Sequence, residues 1–124
     1  MAKKIRIKIG SNKVTAELNS SQTAQLFSQN LPMQLSLNRW GDEYYGNCGL
    51  NVKNDKGARA EMEVGELAIW PDGSALCIFF GPTPASTDEK PRAISPVNPI
   101  GKIEDELSFL KLMSHTIDVE IEEL

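Results

Sequence analysis

Residues 65–86, GELAIWPDGSALCIFFGPTPAS, constrain the fold more than any other stretch of the chain. Within them Ala75, Leu76, Cys77, Ile78, Phe79 and Phe80 form the longest apolar run, six residues without a charge. A run this short, opened by Asp72-Gly73-Ser74 and ended by Gly81-Pro82, predicts a strand buried on both faces. Upstream, Leu67-Ala68-Ile69-Trp70 predicts a second strand, and Pro71-Asp72-Gly73 is a hairpin turn signal. Pro82 and Pro84 fix φ and remove two amide donors, so the strand has to stop there. The chain builds its most apolar hairpin and then leaves it through a stiff loop.

The two ends carry matching patterns. Ile5, Ile7 and Ile9 alternate with Arg6 and Lys8, and Val14, Ala16 and Leu18 alternate with Thr15 and Glu17. With Gly10-Ser11-Asn12 as the turn, this predicts an N-terminal hairpin. At the other end Ile117, Val119 and Ile121 alternate with Asp118, Glu120 and Glu122. Opposite charges stabilise when they face each other across paired strands. The first and last strands are therefore expected to be neighbours, which closes the sheet into a barrel. A basic nucleic-acid arm is the other reading of Lys3, Lys4, Arg6, Lys8 and Lys13, but the net charge of −4 disfavours it.

Between the ends, Asn19-Ser20-Ser21 offers helix N-caps, Ala24, Phe27 and Leu31 follow at helical spacing, and Pro32 blocks continuation. Met33, Leu35 and Leu37 alternate as a strand, Leu50 and Val52 suggest a short one in a Gly- and Asn-rich loop, and Met62 and Val64 alternate with Glu61 and Glu63. Residues 83–99, rich in proline, predict a long surface loop of the kind often used for binding. The X-Pro bonds of Pro82, Pro84 and Pro99 are candidates for cis geometry. Residues 100–103 predict a strand, and residues 104–113 a second short helix with Leu107, Leu110 and Met113 on one face. Together these give one domain over 124 residues: a closed, mainly antiparallel β-barrel with two short capping helices.

The residue types exclude several chemistries. There is no P-loop, dinucleotide glycine motif or G-x-S-x-G. His115 is the one histidine and sits in a Ser-His-Thr turn, where solvation explains it better than catalysis. Cys48, Cys77 and His115 lack metal-ligand spacing, so no metal and no cofactor is expected. Free thiols and the lack of an apolar signal core or membrane-length run suit a cytoplasmic protein. Residues 39–45, RWGDEYY, are the densest aromatic and charged cluster. They read either as a pocket with polar anchors or, the stronger reading from residue types, as buried rings with Arg39, Asp42 and Glu43 paired at the rim. Alternation sends one of Phe79 and Phe80 inward and the other outward, where it would line a groove beside the Pro-rich loop.

WGDEYY, EVGELAIWPDGSALCIFFGPTPAS and SPVNPIGKI, in this order and spacing, resemble a family of small prokaryotic proteins with a cyclophilin-like fold. The resemblance covers nearly the whole chain and implies the same barrel with two helices. It is looser toward the peptidyl-prolyl isomerases themselves. Gly65-Glu66-Leu67-Ala68 with Ser74 to Phe80 resembles their G-x-L-[SA]-x…S-Q-F-F hairpin, but their F-x-R-x-x-P-x-F-x-x-Q-G-G signature is missing. Arg39 is the one arginine in about the right region.

The expectation is a binding module without the standard isomerase set. A ring from Phe79 or Phe80 would floor the groove, Trp40, Trp70 and residues 81–86 would wall it, and Glu43, Thr83 and Ser86 would anchor the ligand. The resemblance suggests a proline-containing peptide, and a small molecule fits the physics equally. Nucleic acid and membrane are not expected partners, and no oligomeric state is assigned. Phe80→Ala is expected to weaken binding without unfolding the barrel. The alternatives are an active isomerase using Arg39, or a structural subunit.

Overall fold

In the computed structural model, which describes residues 3–124, the period-two segments become strands. In chain order these are β1 (Lys3–Ile9), β2 (Asn12–Leu18), β3 (Met33–Arg39), β4 (Glu43–Asn47), β5 (Arg59–Glu61), β6 (Glu66–Trp70), β7 (Ala75–Phe79), β8 (Arg92–Ile103) and β9 (Thr116–Glu123). The antiparallel order is β2-β1-β9-β3-β4-β7-β6-β8-β5, and β2 also pairs with β8. The sheet therefore closes in a ring, with the short β5 outside it.

Closure runs through the two ends, as their charges imply. Ile7 stands opposite Ile121, Lys8 opposite Glu120 and Arg6 opposite Glu122. Lys3 meets Glu123 at 3.2 Å, and Arg6 and Lys8 each meet Glu122 at 3.5 Å. These pairs are solvated, so they set register more than they add stability. On the other face Ile5, Ile7, Ile9, Val119 and Ile121 fill the interior with Leu37, Leu67, Ile69, Leu76 and Ile78. One helix, α1 (Gln22–Gln29), caps the ring; Ser21 accepts from the Ala24 amide at 3.1 Å, and Phe27 is fully buried.

Five local expectations change. The second short helix expected over residues 104–113 is confined to a five-residue 3-10 helix at Ser108–Leu112. The Glu104 amide donates to Thr15 O and the Thr15 amide to Asp105 Oδ2, which holds the segment extended along β2 where a helix would begin. Leu50 is buried but stands in loop with Val52, and Val64 is exposed in a turn rather than continuing β5. The cis peptide bond lies at Leu31–Pro32, not at any of the three prolines expected. Most consequential, the second half of the Pro-rich stretch is strand: β8 starts at Arg92.

That long strand has two parts. Residues 98–103 belong to the ring, with Lys102 opposite Glu66 and Asn98 opposite Ile69. Residues 92–97 leave it and pair with β5, Arg59 opposite Val97 and Glu61 opposite Arg92, with a slip in register between these two pairs. This arm crosses the outside of the barrel. Phe79, Ala68, Cys77, Met62, Ala93 and Val97 form a second, separate apolar cluster beneath it.

Candidate functional site

Alternation on three adjacent strands decides what faces the arm. In β4, Tyr44 and Gly46 point into the barrel, so Glu43 and Tyr45 point out. The β4–β7 register sets Glu43 opposite Phe79 and Tyr45 opposite Cys77, and β6 adds Ala68 opposite Cys77 and Trp70 opposite Ala75. Trp40 precedes Glu43 by a two-residue loop, Gly41-Asp42, closed by the Trp40 amide on Glu43 O at 2.8 Å and its reciprocal at 3.2 Å. Gly41 has φ +61°, and a Cβ there would meet Pro84 Cδ at 2.7 Å and Thr83 Cα at 2.9 Å, so only glycine lets the turn pass under that loop.

A cavity of about 130 Å³ results, lined by Trp40, Glu43, Tyr45, Trp70 and Cys77, with Ala93, Ile94 and Val97 from the arm. Three polar clamps hold the arm over it. Trp70 Nε1 donates to Ser95 Oγ at 2.7 Å, and that hydroxyl donates to Asp72 Oδ2 at 3.3 Å. Arg59 grips the Glu66 carboxylate with two hydrogen bonds of 2.9 and 2.6 Å, fixing β5 to β6. Thr83 donates its hydroxyl to Arg92 O, and Ser86 donates to Lys90 O at 2.7 Å.

Glu43 is the anomaly in this wall. It is 5% exposed, and its Oε1 is the one buried side-chain oxygen or nitrogen among the described residues that lacks a hydrogen-bond partner. Burial pushes its pKa from 4.5 up to about 7, with the Cys77 thiol beside it offsetting only part of the rise. No cationic side chain lines the cavity. Burial, and then the Glu43 charge, hold the Cys77 thiol well above its usual range, so it is a protonated and unreactive neighbour. Such a carboxyl withholds a hydrogen-bonding site that the protein itself never fills, which costs stability unless something else fills it.

Trp40, Glu43 and Trp70, three of the residues expected from the sequence, therefore come together. The others do not. Phe80 is the ring that turns inward: it stacks on Tyr44 in the barrel core, centroids 5.5 Å apart, and is 3% exposed. Phe79 turns outward yet is fully buried under the arm, deeper than the cavity wall. Thr83 and Ser86 spend their hydroxyls within their own loop and on the arm. Arg39 closes the end of the barrel: Nε donates to Gly41 O, Nη1 to Lys111 O and Nη2 to Asp42 Oδ1, and its guanidinium lies 5.2 Å from the Phe80 ring centroid. Its donors face the turn rather than the cavity. Glu43 does not join Asp42 at the rim as the residue types suggest, because the two-residue loop puts it on the outer, covered face. Tyr45, Cys77, Ala93, Ile94 and Val97 complete the wall; their signal in the sequence was parity with Glu43 along β4 and with Phe79 along β7.

The family model for cyclophilin-like proteins matches residues 3–122. The chain belongs to the cyclophilin-like family. Among solved structures, this cyclophilin-like chain is similar to a hypothetical protein from Archaeoglobus fulgidus, determined in solution. The two are 33% identical, the match covers 99% of this chain and 95% of that one, and the TM-score is 0.82. No curated protein matches the chain. Two further features of this cyclophilin-like chain agree with its sequence: both cysteines are free, and His115 is exposed in a turn. Among the described residues no group of three or more His, Cys, Asp or Glu is placed to hold a metal ion, and no helix is long and apolar enough to cross a membrane.

Proposed function

We propose that this cyclophilin-like protein is a binding module whose ligand seats one group in the cavity under the β8 arm. The observation that carries the reading is Glu43, a buried carboxyl with an unpartnered oxygen in an otherwise aromatic and aliphatic wall. Nature rarely leaves such a group unfilled without a use for it. Pockets for drug-sized ligands enclose roughly 300–1,000 Å³. At about 130 Å³ the cavity takes a single ring or head group, with the remainder of the ligand lying outside over Ile94. The complementary group is apolar in bulk and carries, or is flanked by, a hydrogen-bond donor for Glu43. The proline of a peptide with a neighbouring amide meets this description, and so does a small heterocycle or amine.

An isomerase would need a donor aimed at the bound proline. Arg39 is committed elsewhere, and the cavity offers an acceptor instead. Binding without turnover is the reading these contacts favour. The test is an NMR titration with a panel of X-Pro peptides and small ring amines, monitoring the two indole N–H signals and the amides of residues 93–97, with exchange spectroscopy on the peptides. Binding at the cavity moves Trp40, Trp70 and the arm together and leaves the cis–trans exchange rate unchanged. Shifts confined to another face, or accelerated exchange lost in Arg39→Ala, overturn the reading.

A further inference from the structure

Resting on that reading of the cavity, we infer that the group it accepts is an organic ammonium, enclosed by the aromatic side chains of Trp40, Tyr45 and Trp70 and neutralised by Glu43. Two features point this way. Three of the eight lining residues are aromatic, and aromatic rings attract cations through their quadrupoles, most strongly when water is excluded. The only charge-bearing side chain among the lining residues is the Glu43 carboxyl, whose Oε1 has no donor from the protein. A cation therefore supplies what the rings favour and neutralises the carboxylate, which no protein group pairs. A neutral ring satisfies the apolar wall but leaves the ionised carboxylate without a counter-charge. An anion meets a carboxyl and no basic side chain. The size agrees, since a methylated ammonium head has a few heavy atoms and fits where a larger ligand does not.

The arrangement makes binding proton-linked. The titratable groups that share the cavity with Glu43 are Cys77 on β7 and Tyr45 on its own strand; β6 contributes Trp70, and the arm contributes Ala93, Ile94 and Val97. Cys77 stays protonated across the neutral range, which leaves Glu43 as the group that changes charge there. Seating a cation beside protonated Glu43 expels one proton to solvent, so affinity rises with pH until the carboxyl is ionised in the free protein. With a free-protein pKa of about 7, the ionised fraction grows about 30-fold from pH 5.5 to pH 8, and the affinity for a cation that selects this form rises by the same factor.

The experiment titrates the full chain with choline chloride and, separately, with its uncharged carbon isostere dimethylbutanol, at pH 5.5 and pH 8, following the Trp indole N–H signals. The inference expects choline to bind more tightly than the isostere and to gain about 30-fold across this range. In Glu43→Gln, which keeps the side-chain volume, choline binding falls at least tenfold at pH 8 and loses its pH dependence. Retained indole shifts confirm that this variant is folded. If the isostere, or an X-Pro peptide with no cation, binds the same residues as well as choline does, the ammonium assignment is overturned and the binding module stands. If none of them binds, both are overturned.

Discussion

Replacing Glu43 with glutamine tests the electrostatics of the cavity through stability alone, without any ligand. The folded protein holds this carboxyl at a pKa of about 7, against 4.5 when it is exposed in the unfolded chain. For an acid whose pKa is raised by folding, the protonated form is favoured in the native state. Its contribution is fully present below pH 4.5 and is lost as pH rises through 7. A difference of roughly 2.5 pH units at 1.36 kcal/mol each makes this loss about 3 kcal/mol, a sizeable share of the 5–15 kcal/mol that holds a typical domain together. Glutamine has nearly the same volume and no charge to bury, so it removes the pH-dependent loss. Urea unfolding followed by tryptophan fluorescence at pH 4.5 and pH 8 measures both proteins. The variant gains about 3 kcal/mol relative to the parent between the two pH values, whatever its offset at the lower one. Other carboxyls shifted by folding, Glu106 and Glu123 among them, are common to both proteins and cancel in the double difference. A stability gap between variant and parent that is equal at both pH values would refute the reasoning.

Two further substitutions separate structural from ligand-facing roles. Phe80→Ala empties a core position between Tyr44 and Arg39, so it destabilises by about 3–5 kcal/mol in chemical denaturation, a loss of stability where the sequence alone suggests a loss of binding. Asn98→Ala removes a fully buried amide that donates to Lys53 O at 2.9 Å and to Thr23 Oγ1 at 3.2 Å and accepts from the Asp55 amide at 3.0 Å. The loss is about 2–3 kcal/mol from stranded backbone groups, with faster hydrogen exchange in residues 53–57 and unchanged chemical shifts at Trp40 and Trp70.

What the sequence made legible follows from where charge and period agree. Ile5, Ile7 and Ile9 against Ile117, Val119 and Ile121 declare a half-buried strand at each end, and the opposite charges between them declare the pairing that closes the ring. The β6–β7 hairpin is equally plain. The candidate site was only half legible, for two physical reasons. Pro91, Pro96 and Pro99 argue for loop, yet all three occupy positions that tolerate proline better than a regular central ladder does. Pro91 lies just before β8, Pro96 lies in the arm outside the ring within the stretch where the register with β5 slips, and Pro99 lies in the ring beside the register shift between Leu67 and Ala68. Once that strand is missed, nothing in the sequence says what covers the outer face of β7, and Phe79 looks like a groove floor instead of a buried ring. The second reason is parity. Asp42 and Glu43 read as one acidic pair, but the turn at Gly41-Asp42 sends Asp42 to Arg39, 2.8 Å away, and Glu43 under the arm. Composition carries no trace of that separation.

The most direct measurement is the pH titration of the Glu43 side-chain carboxyl by carbon NMR, with Glu43→Gln supplying the assignment. A midpoint near 7, moving down when choline is added, is the result expected of a buried, unpartnered anchor. A midpoint near the ordinary 4.5 would mean that water already solvates the carboxyl, and the ligand site built around it would fall.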